Sequence, residues 1–219
     1  MAKTPEALYE EKTKRVMDAV QLKVPDRVPF MSFFNFFHAK YGGITCEEAM
    51  YDHDKLAMAA KKAIMDFDLD MYNNPFPLVA LGPMLEILDC KFLAWPGGAL
   101  SPQHSYQFVE NEYVKAEEYD DLLFDPTGFM LRQFLPRAYG ALEPLQQLPQ
   151  LPSLYYTRFL SGTAAFASPE VSGALDALVK AGKEAQQMLA RAMAFAHEMK
   201  ALGFPSQIGG VAYAPYADL

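Results

Sequence analysis

The stretch "DRVPFMSFFNFFHAKYGG" occupies residues 26–43 and decides how the rest of the chain is read. Four phenylalanines, Phe33, Phe34, Phe36 and Phe37, crowd around Asn35, and His38, Lys40 and two glycines follow. A strand buried on one face alternates apolar with polar residues, and this stretch does not. Strands of a parallel sheet are covered on both faces and read as near-continuous apolar runs. The stretch therefore predicts an inner parallel strand over about 28–35, with Asn35, His38 and Lys40 at its carboxyl end.

The surrounding pattern agrees. Thr4-Pro5-Glu6 is a helix start, and that helix is expected to run to about Leu22. A second helical region covers 44–67, with Thr45 and Glu48 spaced as a capping box and Leu56, Ala60, Ile64 and Phe67 on one face. "LDMYNN" (69–74) reads as a short strand ended by Pro75. Residues 88–114 read as two strands joined by a long loop, and the region from Glu117 to about Leu148 as mostly helical with interruptions at Pro126 and Pro136. Ser168-Pro169-Glu170 opens the longest helix. Its stripe is Val171, Leu175, Leu178, Met188, Leu189, Ala192, Ala196 and Met199, and Gly203 stops it. "SQIGGVAYAP" (206–215) reads as a last strand. Strands alternating with helices imply an α/β fold with a parallel sheet, whose sites lie at the carboxyl ends of the strands.

Composition narrows the function classes. The 219 residues are 51% hydrophobic and 21% charged, with a net charge of −8. That is a globular composition, and the negative charge argues against nucleic acid as a partner. No apolar run approaches the roughly 18 residues of a membrane helix. The charged amino terminus is not a secretion signal, so a cytoplasmic protein with Cys46 and Cys90 as free thiols is expected.

Three strand ends supply candidate site residues. His38 could orient a ligand or move a proton, or could simply bond a loop carbonyl. Asn73 and Asn74 could bind a ligand or terminate their strand by Asx-type bonding. Gly209, Gly210, Tyr213 and Tyr216 close the last strand; glycines there allow close backbone approach or mark a bulge. We expect His38, Asn73 and Asn74 to carry chemistry, and Phe34, Asn35, Tyr72, Tyr213 and Tyr216 to contact a small-molecule substrate. Asp52-His53-Asp54 resembles a metal-ligand cluster, but Asp54 is a natural helix N-cap and no metal site is expected there. His104 and Trp95 fall on the 88–114 excursion, and His197 in the long helix reads as structural. No dinucleotide, Walker, GxSxG, HExxH or paired-cysteine motif is present.

Taken together, "PDRVPFMSFF", "DFDLDMYNNPF", "KFLAWPGGALSPQHSYQFVENEYVKAEEYDDLLFDPTGFMLRQFLPRAYGALEPL" and "GFPSQIGGVAYAPYADL" resemble the amino-terminal part of the uroporphyrinogen decarboxylase superfamily. The hairpin region is closer to its methyltransferase branch. The resemblance covers nearly the whole chain and rests on the ensemble of pieces. It implies a (β/α)8 barrel, of which about three strands would fall in residues 1–219, with a hairpin and helical excursion at about 75–168. It implies either a corrinoid-dependent methyltransferase or a tetrapyrrole decarboxylase. The decarboxylase carries an Arg-Gln-Ala-Gly-Arg motif at its first strand end; here the register gives Phe34-Asn35-Phe36-Phe37-His38, and both arginines are lost. The decarboxylase's second-strand aspartate becomes Asn73 or Asn74. An octa-acid would be left with unpaired carboxylates, so decarboxylation of uroporphyrinogen is not expected. The methyltransferases hold zinc on histidine and cysteine ligands from late strands. This chain has no such set, so no cofactor is expected within it; zinc and a corrinoid partner protein would belong to a full-length protein. A non-catalytic partial barrel, completed by a partner chain or by homo-oligomerisation, is the other class of reading.

Overall fold

The structure is a computed structural model that describes residues 3–207. Its described residues fall into two compact units. The first holds residues 3–82, 100–105 and 186–207, and the second holds 83–99 and 106–185. The second thus takes in most of the expected excursion. The fold is α/β, with many helices and few short strands, and among the described residues no helix is long and apolar enough to cross a membrane.

The first unit opens with α1 (Pro5–Val20), capped by Thr4 Oγ1 accepting from the Ala7 amide. Strand β1 (Met31–Ser32) follows, and β2 (Met71–Tyr72) pairs with it in parallel, Met31 opposite Met71 and Ser32 opposite Tyr72. Between them lie α2 (Phe37–Gly42), α3 (Cys46–Tyr51) and α4 (His53–Asp66), a helical crossover of the kind a parallel pair needs. Ser206 forms a further parallel bridge to Tyr72, so β2 runs between β1 and the 206 segment. The rest of the expected third strand, with Gly209, Gly210, Tyr213 and Tyr216, lies outside the described residues.

Two expectations for this unit need correction. The inner strand over 28–35 shrinks to Met31–Ser32, and the phenylalanine run turns directly into α2. The reason is visible in the spacing: Phe34, Phe37 and Tyr41 recur at helical intervals and meet Phe67 as one aromatic cluster. Centroids are 4.7 Å apart for Phe34–Phe37, 5.6 Å for Phe37–Tyr41 and 5.0 Å for Tyr41–Phe67. Phe36 is buried at the helix start, and α2 lies so close to α4 that a Cβ on Gly42 would collide with Ala59. The second correction concerns the cap of α4. It is Asp52, not Asp54: its extended backbone (φ −112°, ψ 99°) lets Oδ1 accept from the amides of Asp54 and Lys55, each at 3.0 Å. The capping box of α3 is as expected, with Thr45 Oγ1 accepting from Glu48 N and Glu48 Oε2 from Thr45 N.

In the second unit, β3 (Leu93–Ala94) and β4 (Gln107–Phe108) form the expected antiparallel pair. The following region is more broken than its composition suggested. It divides into α7 (Tyr119–Phe124), α8 (Pro126–Phe129), a π turn at Met130–Phe134, α9 (Leu135–Ala138) and a 3₁₀ stretch at Gly140–Gln147. Pro126 begins a helix instead of interrupting one, because the first turn needs no amide donor from it. Earlier in the chain, α5 (Phe76–Val79) and α6 (Gly82–Leu88) link β2 to the hairpin, and α10 (Phe159–Ala164) precedes the last helix.

Helix α11 (Pro169–Ala201) starts and stops where expected, with Gly203 at φ +87°. Residues 169–185 belong to the second unit, where Val171 and Ala174 pack on Leu142, Leu145 and Leu148. Residues 186–201 belong to the first, where Met188, Ala192, Phe195 and Met199 are buried. Leu189, placed on the stripe by sequence, is 51% exposed, and Phe195 takes the buried position.

Candidate functional site

The polar groups at the carboxyl ends of β1 and β2 form the candidate site, all within the first unit. His38 sits in the first turn of α2, where its side chain is buried and Nδ1 donates to the Asn35 carbonyl at 3.3 Å. Its ring meets Phe34 edge-on, with centroids 5.4 Å apart. Burial pushes its pKa down to about 4, partly offset by the Asn35 carbonyl, so the imidazole is neutral at pH 7 with Nε2 as the acceptor nitrogen. Phe34, Asn35 and His38 are therefore brought together.

The state of His38 has a measurable consequence. Unfolded, it takes a proton near pH 6.5; folded, it resists until about 4. The neutral form's contribution is complete above pH 6.5 and is lost as pH falls from there towards 4, amounting to about 3 kcal/mol. Urea titrations across this interval should show stability falling with pH, and His38→Gln should flatten that slope. An unchanged slope in the variant would assign the effect to other groups.

Asn73 is half-buried at the end of β2. Asn74 is engaged at both ends of its amide: Nδ2 donates to the Ala192 carbonyl at 2.9 Å and Oδ1 accepts from the Phe76 amide at 3.2 Å. Its visible work is to tie α11 and α5 to the strand end. Tyr72 is core: its ring meets Phe195 edge-on at 5.9 Å, and it is 1% exposed. Burial holds its pKa above the ordinary tyrosine value, and its hydroxyl has no hydrogen-bond partner. Tyr72→Phe should therefore stabilise the protein or leave it unchanged, by up to about 1 kcal/mol, because it removes an unsatisfied buried group. A clear loss of stability would show that the hydroxyl is bonded in solution. Tyr213 and Tyr216 lie outside the described residues. Cavities of about 560, 570 and 580 Å³ occur in the structure, and other side chains line them.

At the opposite, amino ends of the same strands lies a network that the sequence reading missed. Asp70, fully buried, accepts from Arg15 Nη1 at 2.5 Å, from Arg27 Nη1 and Nη2 at 2.7 and 2.8 Å, and from the Phe30 amide at 2.7 Å. The Asp70 amide in turn donates to the Phe30 carbonyl at 2.8 Å. Arg15 also grips both oxygens of Asp26 at 2.7 Å, which holds the Asp26 carboxyl down at about 2. Buried Lys12 donates to Asp68 Oδ1 at 2.6 Å and to the Leu69 carbonyl at 2.8 Å. The signal was present in sequence as two cations on the inward face of α1 and the Asp68-Leu69-Asp70 spacing before β2. No cofactor chemistry is implied, since every cation here is matched by a carboxylate or carbonyl. The two arginines nearest the strands are thus committed at the amino ends.

Among the described residues no group of three histidine, cysteine or acidic side chains could hold a metal. Both thiols, Cys46 and Cys90, are buried, and burial raises their pKa, the opposite of what a thiolate ligand needs. No family model, curated protein or solved structure matches the chain.

Proposed function

We propose that the chain forms the amino-terminal portion of a barrel enzyme of the uroporphyrinogen decarboxylase superfamily, of the corrinoid-dependent methyltransferase type. Its small-molecule site lies where β1 and β2 end. The observation that carries the reading is the parallel arrangement of β1, β2 and Ser206 around a helical crossover, with Asn35, His38 and Asn73 at the strand ends. The carboxylate-rich decarboxylase substrate is disfavoured because Arg15 and Arg27 are held by Asp70. Neutral imidazole, amides and the Phe34 wall suit a ligand of low charge. The described residues supply no zinc set, so the proposal assigns binding and orientation to this chain and derives no metal step.

Amide NMR spectra of the labelled protein with methylcobalamin, and separately with uroporphyrin, test the reading. We expect methylcobalamin to shift resonances of residues 33–38 and 72–74, and uroporphyrin to leave them in place. Shifts with uroporphyrin, or no shift at these residues with methylcobalamin, would contradict it.

A specific observation favours the second reading, a partial barrel closed by another chain. Val28, Phe30, Met31 and Phe33, on β1 or flanking it, are 86, 42, 42 and 62% exposed, and β1 pairs with β2 alone among the described residues. Concentration-dependent self-association, abolished by Phe33→Ser, would support that reading over the first.

A further inference from the structure

The second unit carries a cavity of about 570 Å³ between α7, α8, the π turn and the 149–152 segment. Polar and charged side chains line part of it, and the apolar part of its lining is Phe124, Phe129, Leu131, Pro149, Leu151 and Pro152. Two of these are presented to solvent, Phe124 at 90% and Leu151 at 51%, and the adjoining Leu123 is 64% exposed. Soluble surfaces rarely gather large apolar side chains around a concave site without a partner. The wall also contains a π turn, Met130–Phe134, an irregularity found disproportionately at functional sites.

Charge identifies the occupant. Glu118, Asp121 and Asp125 line the cavity against one cation, Arg132. Glu118 is matched by a two-pronged bond to Arg137 at 2.7 Å, and Asp125 has a looser contact with Arg132 at 3.5 Å. Asp121, like neighbouring Glu117 and Asp120, has no ion-pair partner among the described residues, so the rim keeps a negative excess. We propose that this cavity is a docking site for a basic segment of a partner protein that inserts an apolar anchor. The anchor packs on Phe124 and Leu151 while its lysine or arginine neighbours face Asp120 and Asp121. The proposal is independent of the barrel reading, since every residue in it belongs to the second unit.

The test uses the whole chain and a short fluorescein-labelled peptide of leucine and lysine at helical spacing, with a leucine–glutamate peptide as its counterpart, read by anisotropy. The lysine peptide should bind and the glutamate peptide should not. Phe124→Ser and Asp121→Lys, both at surface positions, should each weaken binding by about tenfold. Glu110→Lys makes the same charge change at an exposed site outside the cavity and should stay within about twofold. Equal weakening by Asp121→Lys and Glu110→Lys would reduce the effect to net charge and overturn the proposal, as would binding that neither Phe124→Ser nor Asp121→Lys changes. So would the absence of binding, self-association that is lost with Phe124→Ser, or preferential binding of phosphatidylcholine vesicles at this surface.

Discussion

Asp70→Ala should lower the free energy of unfolding by about 3–5 kcal/mol. Asp70 is fully buried, its two oxygens accept from two guanidinium groups and an amide, and it joins α1 to the amino ends of both parallel strands. Removing it leaves Arg15, itself buried, with only the exposed Asp26 and the half-buried Glu11 as partners, and leaves the Phe30 amide without its acceptor. Lys14→Ala is the natural control. Its partner Asp18 is one helical turn away and Lys14 is 74% exposed, so the loss should stay within about 0.5 kcal/mol. Urea unfolding followed by circular dichroism separates the two. A loss below about 1 kcal/mol for Asp70→Ala would mean that the network is loosely formed in solution.

Phe195→Ala is expected to cost about 3–5 kcal/mol by the same measurement. Phe195 is fully buried on the inward stripe of α11 and touches Tyr72 and Phe76, with centroids 5.9 and 5.8 Å away. The cavity left behind would be lined by rings that cannot move into it, since Asn74 holds α5 and α11 in place through its amide. Met193→Ala, two residues earlier at a 64% exposed position, should change stability by less than about 0.5 kcal/mol. Similar effects at both positions would mean that α11 does not cover β2 as described.

Much of the helical framework was legible in the sequence because caps and stop signals act locally. Thr4, the Thr45–Glu48 box, Ser168-Pro169 and Gly203 need only their immediate neighbours to work. The parallel pairing was legible through the alternation of strands and helices. The phenylalanine run was misread because aromatic residues serve strand and helix equally well over so short a stretch, and only its meeting with Phe67 decides the period. The Asp70 network was missed because Arg15, Arg27 and Asp70 are far apart in sequence and each alone looks like a solvated charge. Of the candidate site, the Phe34–Asn35–His38 grouping is local, so its closeness needs only adjacent residues to form. The double use of Asn74 was not legible, because Ala192 is more than a hundred residues away. The unsatisfied Tyr72 hydroxyl likewise depends on packing that no local pattern reveals.

Everything proposed for the strand ends depends on β2 running parallel to its neighbours, and hydrogen-bond scalar couplings across the backbone measure that directly. The Tyr72 amide donates to the Pro205 carbonyl at 3.2 Å, and the Gln207 amide donates to the Tyr72 carbonyl at 2.7 Å. One residue flanked in this way by two positions of its neighbour is the parallel pattern; an antiparallel pair would exchange both bonds with a single residue. We expect couplings from Tyr72 N to Pro205 C′ and from Gln207 N to Tyr72 C′. A reciprocal pair of couplings between Tyr72 and one residue of the 205–207 segment would contradict the parallel sheet, and with it the placement of the site.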